Sequence, residues 1–365
     1  LMGPLNGIRV VEFTGLGPAP MAGMLLADLG ASVIRLDRPA AADAMNGGGA
    51  GPHMSEGRTV LPADLKSDEG RALALDLISR ADVLLEGFRP GVMERLGLGP
   101  DTCLALNPRL VYARITGWGQ DGPSAHTAGH DVNYISVNGA LHSIGRAGGP
   151  PVPPINLLGD FAGGTMFAVT GVLSALVERQ TSGRGQVVDA AMVDGSALLM
   201  SMVHEDRARG VWNDERGTNY LDTGAPWYDV YECADGRHVS VGCIEPGFYA
   251  AFLEGVGLAG EDLPDQWDRS GWPRLRERFA EVLRTRTRDE WGEVFDGVDA
   301  CVTPVLSLEE APDHPHVRAR GSLVREGGRV IPGPAPRFGR TPGGVTRGRG
   351  LPDTDEVLGE WGITT

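Results

Sequence analysis

Two residues near the middle of the chain have the side chains that a proton transfer at carbon requires. His130 lies in Gly129-His130-Asp131, and Asp160 lies in the later segment Gly159-Asp160-Phe161. An imidazole and a carboxylate on opposite faces of one carbon can remove a proton from one side and return it on the other. If the two side chains converge, the sequence predicts an enzyme. Otherwise His130 is a solvated loop histidine and Asp160 is an ordinary helix cap.

The residues after Asp160 predict a long apolar helix that ends near Arg179, with Asp160 as its N-cap. The start of a helix lowers the pKa of a carboxylate and has free backbone N–H groups that can hold an enolate oxygen. Gly163 and Gly164 weaken the first turn of this helix. The sequence therefore predicts that another part of the protein packs closely against that turn.

A third candidate, Glu245, follows a predicted strand in the second half of the chain. It is either a surface carboxylate or an orienting partner of His130. In the second role it would raise the basicity of the imidazole and fix its tautomer. The residues alone leave both interpretations open.

Four basic residues follow predicted strands or begin the helices after them: Arg38, Lys66, Arg89 and Arg95. Ligands of open α/β sheets bind at the carboxyl ends of the strands. These residues are therefore either surface ion-pair partners or a cluster for a polyanionic ligand.

The first predicted strand is followed by a pattern that imitates a dinucleotide-binding loop. Gly15 and Gly17 have the correct spacing, and Asp37 ends the next strand. Pro20 stands where the third glycine of that pattern belongs. We therefore expect a tight turn there and no nicotinamide cofactor.

Strands and helices alternate through the first part of the chain, which predicts an α/β fold with a parallel sheet. Asp235-Gly236 lies between two alternating runs and predicts a β-hairpin. Predicted helices follow at 247–256, 273–284 and 288–296, which together with the hairpin indicates a second, α+β domain. The last stretch of the chain is rich in Gly and Pro and is expected to be mostly irregular.

Length and charge limit the function classes. A chain of 365 residues is long for one core, so two domains are expected. A formal net charge of −15 argues against nonspecific nucleic-acid binding and against an anionic membrane surface. No apolar run reaches the roughly 18 residues of a spanning helix, and no signal peptide is recognisable. We therefore expect a cytoplasmic protein without membrane or nucleic-acid partners.

The motifs together resemble CoA-transferase family III, the CaiB/BaiF-like proteins, and within it the actinobacterial α-methylacyl-CoA racemase branch. The resemblance covers roughly the first 340 residues. It is carried by these segments: 5–12, 27–31, Ala63-Asp64-Leu65-Lys66, Glu86-Gly87-Phe88-Arg89-Pro90-Gly91, 116–120, Gly129-His130-Asp131, Gly159-Asp160-Phe161, 185–192 and 231–236.

The resemblance implies an interlocked homodimer of subunits that each have a Rossmann-like large domain and a smaller α+β domain. Residues 1–190 would form the large domain, completed by about 330–365. Residues 191–225 would be a linker helix, 226–312 the small domain and 313–330 the return linker. The active site would lie between the large domain of one subunit and the small domain of the other, so that Glu245 reaches His130 across the boundary.

The resemblance also implies an acyl-CoA thioester as substrate, and no separate cofactor and no metal, since CoA is part of the substrate. The residues it assigns to CoA binding are Arg38, Ala63, Leu65, Lys66, Gly87, Phe88, Arg89, Arg95, Gly129, Asp131, Tyr134 and Phe161.

The reaction that the resemblance implies is epimerisation of a 2-methylacyl-CoA through an enolate, with His130 and Asp160 as opposed bases and backbone N–H groups around Asp160 holding the enolate oxygen. The alternative is CoA transfer between acids, with Asp160 as the nucleophile. A CoA-binding protein without activity is a third possibility, which the three acid–base residues His130, Asp160 and Glu245 argue against.

One segment departs from the family pattern. An Asn–Arg or Arg–Asn pair usually precedes the strand near Val60, but this chain reads Ser55-Glu56-Gly57-Arg58 after a longer loop. Glu56 would repel a CoA phosphate, so we expect the adenosine end of CoA to be held differently or more weakly.

Overall fold

A computed structural model describes residues 3–13, 15, 17–39, 57–344 and 352–363. The chain divides into two compact units. Unit 1 comprises Leu1–Asn138, Pro154–Leu199 and Pro315–Thr365, and unit 2 comprises Gly139–Pro153 and Met200–His314. Residues 139–153, which the predicted division places in the large domain, thus belong to unit 2.

Unit 1 is built on a six-stranded parallel sheet with the strand order β3-β2-β1-β4-β5-β6. The predicted α/β fold with a parallel sheet is therefore confirmed. The strands are β1 (Arg9–Phe13), β2 (Ser32–Asp37), β3 (Thr59–Pro62), β4 (Val83–Glu86), β5 (Val111–Thr116) and β6 (Val187–Ala191). The helices are α1 (Pro18–Asp28), α2 (Asp68–Arg80), α3 (Val92–Arg95), α4 (Pro100–Leu106), α5 (Asp131–Val137), a π-helix (Leu157–Met166), α6 (Phe167–Ser182) and α7 (Met192–Leu199).

Apolar side chains fill both faces of this sheet, because the inner strands β1, β2, β4 and β5 are buried on both sides. Leu26 of α1 and Val172 of α6 lie in the core on one face. Leu77 of α2 and Trp361 lie in the core on the other. Trp361 belongs to a C-terminal helix, and its indole N–H donates to the Ser32 hydroxyl at 2.9 Å.

The C-terminal part of unit 1 is more regular than predicted. It contains α12 (Pro315–Arg320), an antiparallel pair of β10 (Leu323–Glu326) and β11 (Arg329–Pro332), and α13 (Thr354–Trp361). The high Gly and Pro content concealed these short elements.

Unit 2 contains the predicted hairpin, extended to three antiparallel strands: β7 (Tyr228–Glu232), β8 (His238–Gly242) and β9 (Val302–Pro304). Its helices are α8 (Ser201–Ala208), α9 (Pro246–Gly255), α10 (Trp272–Leu283) and α11 (Arg288–Val294). Trp227, Phe252 and Phe279 are fully buried in its core.

The helical run Leu157–Ser182 is long and apolar enough to cross a membrane by length and composition, alone among the described helices. The core helix of a globular domain meets the same criterion. Ala168, Val172 and Ala175 of this run are buried in the core of unit 1. Packing therefore accounts for part of its apolar character.

Candidate active site

The candidate site lies at the carboxyl ends of the parallel strands of unit 1. The order of the strands reverses between β1 and β4: β2 and β3 lie on one side of this point, and β4, β5 and β6 lie on the other. Open α/β sheets bind ligands at such a reversal. The loop after β1 contains Gly17, whose φ is +62°. A Cβ at Gly17 would lie 3.4 Å from Oδ2 of Asp160. The tight turn predicted at Gly15 and Gly17 therefore lies beside the predicted carboxylate.

His130 is exposed and immediately precedes α5. Its backbone N–H donates to the side-chain oxygen of Asn133 at 3.0 Å. Its carbonyl accepts from the N–H groups of Asn133 and Tyr134. The first turn of α5 thus fixes the backbone of His130 and leaves the imidazole at the surface of the unit.

Asp160 lies within the first turn of the π-helix, three residues after its start, so its predicted role as N-cap is wrong. The carboxylate of Asp131 takes the capping role instead. Its Oδ2 accepts from the backbone N–H of Gly159 at 2.6 Å and of Asp160 at 2.7 Å. These two amides are therefore occupied, and the expectation that they hold an enolate oxygen is wrong for both.

The surroundings of Asp160 raise its pKa, mainly because partial burial removes water from the carboxylate. The hydrogen bond from the Asn156 side chain, 3.1 Å to Oδ2, lowers the pKa, and the charge of Asp131 raises it. His130 lies close enough for its charge to lower it as well. The net direction is opposite to the lowered pKa expected for a helix N-terminus, because the effect of burial outweighs the hydrogen bond from Asn156.

The two glycines after Asp160 are in close contact with α7, as predicted. A Cβ at Gly163 would lie 2.8 Å from the Ser196 nitrogen, and one at Gly164 would lie 2.9 Å from Cγ of Met192. The π-helix is accordingly held tightly between its neighbours. Such wide turns are frequent at functional sites.

Three of the predicted basic residues follow strands at this edge of the sheet, Arg38 after β2, Lys66 after β3 and Arg89 after β4, whereas Arg95 is the last residue of α3. Arg38, Lys66, Arg89 and Arg95 are exposed, and within the described part of the chain none forms an ion pair. Of these, Arg89 is near enough to Tyr134 to lower its pKa. Their charges are therefore free to meet an anion.

The remaining predicted CoA contacts differ in accessibility. Gly87 is exposed, and Leu65, Phe88, Gly129 and Phe161 are partly exposed, whereas Ala63, Asp131 and Tyr134 are buried. Asp131 and Tyr134 have polar atoms bonded to protein groups. The assignment of all these residues to CoA stays a prediction.

Two buried ion pairs support the loops of this edge, and the sequence analysis missed both. Glu86 accepts from Arg114 Nε at 2.7 Å and from the Phe88 amide at 2.8 Å, which fixes the loop after β4. Glu12 pairs with Arg58, whose guanidinium also donates to the Pro20 carbonyl at 3.1 Å. For Glu86 and Arg114 the available signal was a pair of opposite charges on the adjacent buried strands β4 and β5.

Arg58 is fully buried, so it is committed to the protein interior. Glu56 and the rest of the departing loop before Gly57 lie outside the described residues.

Glu245 belongs to unit 2, where it is exposed and immediately precedes α9. It lies near Cys301, whose thiol pKa is raised by burial and by the Glu245 charge. Its predicted partnership with His130 stays a prediction.

Residues 5–356 match the sequence profile of CoA-transferase family III. The chain belongs to CoA-transferase family III. Among curated members, the α-methylacyl-CoA racemase of Mus musculus is 47% identical over 99% of this chain and 94% of its own length. The α-methylacyl-CoA racemase of Homo sapiens is 44% identical over 99% of this chain and 94% of its own length.

The fold agrees with this family. The crystal structure of a CAIB/BAIF family protein from Brucella suis superposes with a TM-score of 0.81 at 24% identity, over 99% of this chain and 100% of that one. The predicted family and fold class are thus confirmed.

Proposed function

We propose that this family III protein is a racemase that interconverts the two epimers of a 2-methylacyl-CoA thioester. The observation that carries the proposal is the hydrogen bond that joins the two segments: the carboxylate of Asp131, the residue directly after His130, accepts the backbone N–H of Asp160 at 2.7 Å at the carboxyl-end edge of the sheet. The racemase relatives support the same reaction over nearly the whole chain.

In the proposed reaction, His130 removes the α-proton of one epimer, and the electron pair moves into the thioester carbonyl to form an enolate. Protonated Asp160 then donates its proton to the opposite face of the same carbon. In the reverse direction Asp160 is the base and His130 the acid. The raised pKa of Asp160 favours the protonated form that the donation step requires. Because the amides of Gly159 and Asp160 are bonded to Asp131, the enolate oxygen would need other donors.

The free basic residues support a CoA ester as ligand, since CoA carries phosphates that exposed guanidinium groups bind well. Arg89→Ala is expected to raise KM roughly tenfold with little change in kcat, because one charged hydrogen bond to phosphate is lost. Arg184 is an exposed control, since it precedes β6 at the opposite edge of the same sheet. Arg184→Ala should leave KM unchanged.

We also propose that two copies associate and that Glu245 of one subunit assists His130 of the other. Exposed apolar side chains on three elements that contact one another, α5, α7 and the start of the π-helix, support an association: Val137, Leu157, Leu198 and Leu199. Sedimentation should give twice the 38.6 kDa chain mass. A monomer at assay concentration would contradict the shared site. The cytoplasmic location stays a prediction.

The deciding experiment incubates one pure epimer of a 2-methylacyl-CoA in deuterium oxide without an acceptor acid. A racemase incorporates deuterium at the α-carbon and lowers the optical purity. A family III transferase, in which Asp160 would attack the thioester as a nucleophile, leaves the α-proton in place and moves CoA to an added carboxylate. The second result would replace the racemase by the transferase.

A further inference from the structure

The first turn of α5 contacts the backbone of both proposed bases. It begins directly after His130 and contains two buried side chains, Asp131 at 4% and Tyr134 at 7% exposure. Each has a polar atom bonded to a backbone group beside one base. The two contacts are made to different segments, the π-helix and the loop before α5, so they can be separated experimentally.

Asp131 is bonded on the Asp160 side. Its Oδ2 alone accepts the amides of Gly159 and Asp160, which anchors the wide turn that contains Asp160. Its other oxygen, Oδ1, is buried and has no protein donor among the described residues. A Cβ at Gly159 would lie 2.7 Å from Oδ2 of Asp131, so the close contact depends on glycine at that position.

Tyr134 is bonded on the His130 side. Its hydroxyl donates to the carbonyl of Gly129, the residue immediately before His130. Its ring packs edge-on against Trp118, with centroids 4.9 Å apart, and fills the space that glycine leaves at 117 and 129. Burial raises the pKa of Tyr134 to about 12, so the hydroxyl remains a donor at neutral pH.

We propose that Asp131 and Tyr134 are positioning residues of the racemase, each serving one base: Asp131 holds the backbone of Asp160, and Tyr134 holds the backbone of His130. This inference rests on the proposed function. It replaces CoA binding as the main role of both side chains, because Oδ2 of Asp131 and the hydroxyl of Tyr134 are already bonded to backbone groups of the protein. It therefore predicts effects on kcat and not on KM.

The test measures deuterium incorporation without inversion, separately for each epimer. His130→Ala and Asp160→Asn first establish which epimer presents its α-proton to which base. Tyr134→Phe should then slow exchange by His130 relative to exchange by Asp160, and Asp131→Ala should do the opposite. We expect each variant to shift the ratio of the two exchange rates roughly tenfold, since a small misplacement of a reacting group lowers its rate by up to about a hundredfold.

Two variants serve as matched controls. Asp131→Asn keeps a carbonyl oxygen that can accept both amides. Its ratio of the two exchange rates should therefore be closer to that of the wild type than the ratio in Asp131→Ala. Ser136→Ala removes an exposed hydroxyl that bonds the Val132 carbonyl within the same helix. It should change neither the ratio nor KM.

A readout independent of activity is the hydrogen exchange of backbone amides. Asp131→Ala should speed exchange of the Gly159 and Asp160 amides, and Tyr134→Phe should not. Equal slowing of both epimers, or a raised KM with unchanged kcat, would overturn the positioning roles while wild-type exchange still supports the racemase. Absence of α-exchange in the wild type would overturn the proposed function, and the positioning roles with it.

Discussion

The two proposed bases are held in different ways. His130 is exposed, and the contacts that fix it are made by its backbone to the first turn of α5. Asp160 is partly buried, its carboxylate accepts a hydrogen bond from Asn156, and its backbone is bonded to Asp131. The pKa of Asp160 is raised by these surroundings, mainly through burial.

This difference suggests that the two half-reactions depend on different parts of the protein. The strength of Asp160 as a base follows from burial and nearby polar groups, so changes around the π-helix should alter it. The contribution of His130 follows from where its loop holds the imidazole. Variants that affect only one of the two bases are therefore the best test of whether His130 and Asp160 are held independently.

The largest effect is expected when either base is removed. His130→Ala and Asp160→Asn should each lower racemisation by roughly 10²- to 10⁴-fold, because a positioned acid–base group contributes about that factor. Each variant should still exchange the α-proton of the epimer that faces the remaining base. Proton NMR of each epimer in deuterium oxide measures both rates.

The two variants act as controls for each other. If His130→Ala exchanged both epimers at the wild-type rate, His130 would not be a base. If both variants lost exchange of the same epimer, the opposed arrangement of the bases would be wrong.

A methyl group at Gly17 should slow exchange by Asp160 and leave exchange by His130 unchanged. The φ of +62° disfavours any other residue, and the new Cβ would lie 3.4 Å from the carboxylate oxygen. We expect Gly17→Ala to cost about 1–3 kcal/mol of stability and to lower exchange by Asp160 roughly tenfold. Thermal unfolding and epimer-specific exchange measure the two effects.

Gly15→Ala is the matched control in the same loop. Its Cβ would lie 3.7 Å from the nearest side chain, which is an ordinary contact, and no positive φ is recorded there. A similar loss in both variants would show that the loop, and not its contact with Asp160, is responsible.

The strand and helix pattern was enough to predict the parallel sheet, because buried β-branched strands alternate with helices at regular spacing. The packing at Gly163 and Gly164 was also predictable, since two glycines in a helix are costly unless a neighbour needs the space. The hydrogen bond to the backbone amide of Asp160 could not be predicted. That amide is bonded to Asp131, which is distant in the sequence, and local sequence rules do not describe such contacts. The short C-terminal elements were missed because their composition resembles that of loops.

A smaller effect concerns stability and pH. Because the pKa of Asp160 is raised in the folded state, its ionised form costs stability above that pKa, and stability falls as pH rises through it. Asp160→Asn should therefore raise Tm at pH 7 by only about 1 °C, since water screens a partly exposed carboxyl. The gain should vanish below the ordinary carboxyl pKa of about 3.9. A lower Tm for Asp160→Asn at pH 7 would contradict the raised pKa of Asp160. His130→Ala is the control: because this residue is exposed, its loss should leave Tm unchanged.

The smallest effect is expected for Asn156→Ala, which removes the donor to Oδ2 of Asp160. That hydrogen bond stabilises the ionised carboxylate, so its loss should raise the pKa of Asp160 further. Exchange by Asp160 should then decline at a higher pH on the acidic side of its profile, while its rate at high pH changes little. Exchange by His130 should keep its profile, because Asn156 bonds only the other base among the described contacts. Exchange rates of each epimer measured across pH give the two profiles. A parallel shift of both profiles would mean that the two bases titrate as one coupled pair and not as separately held groups.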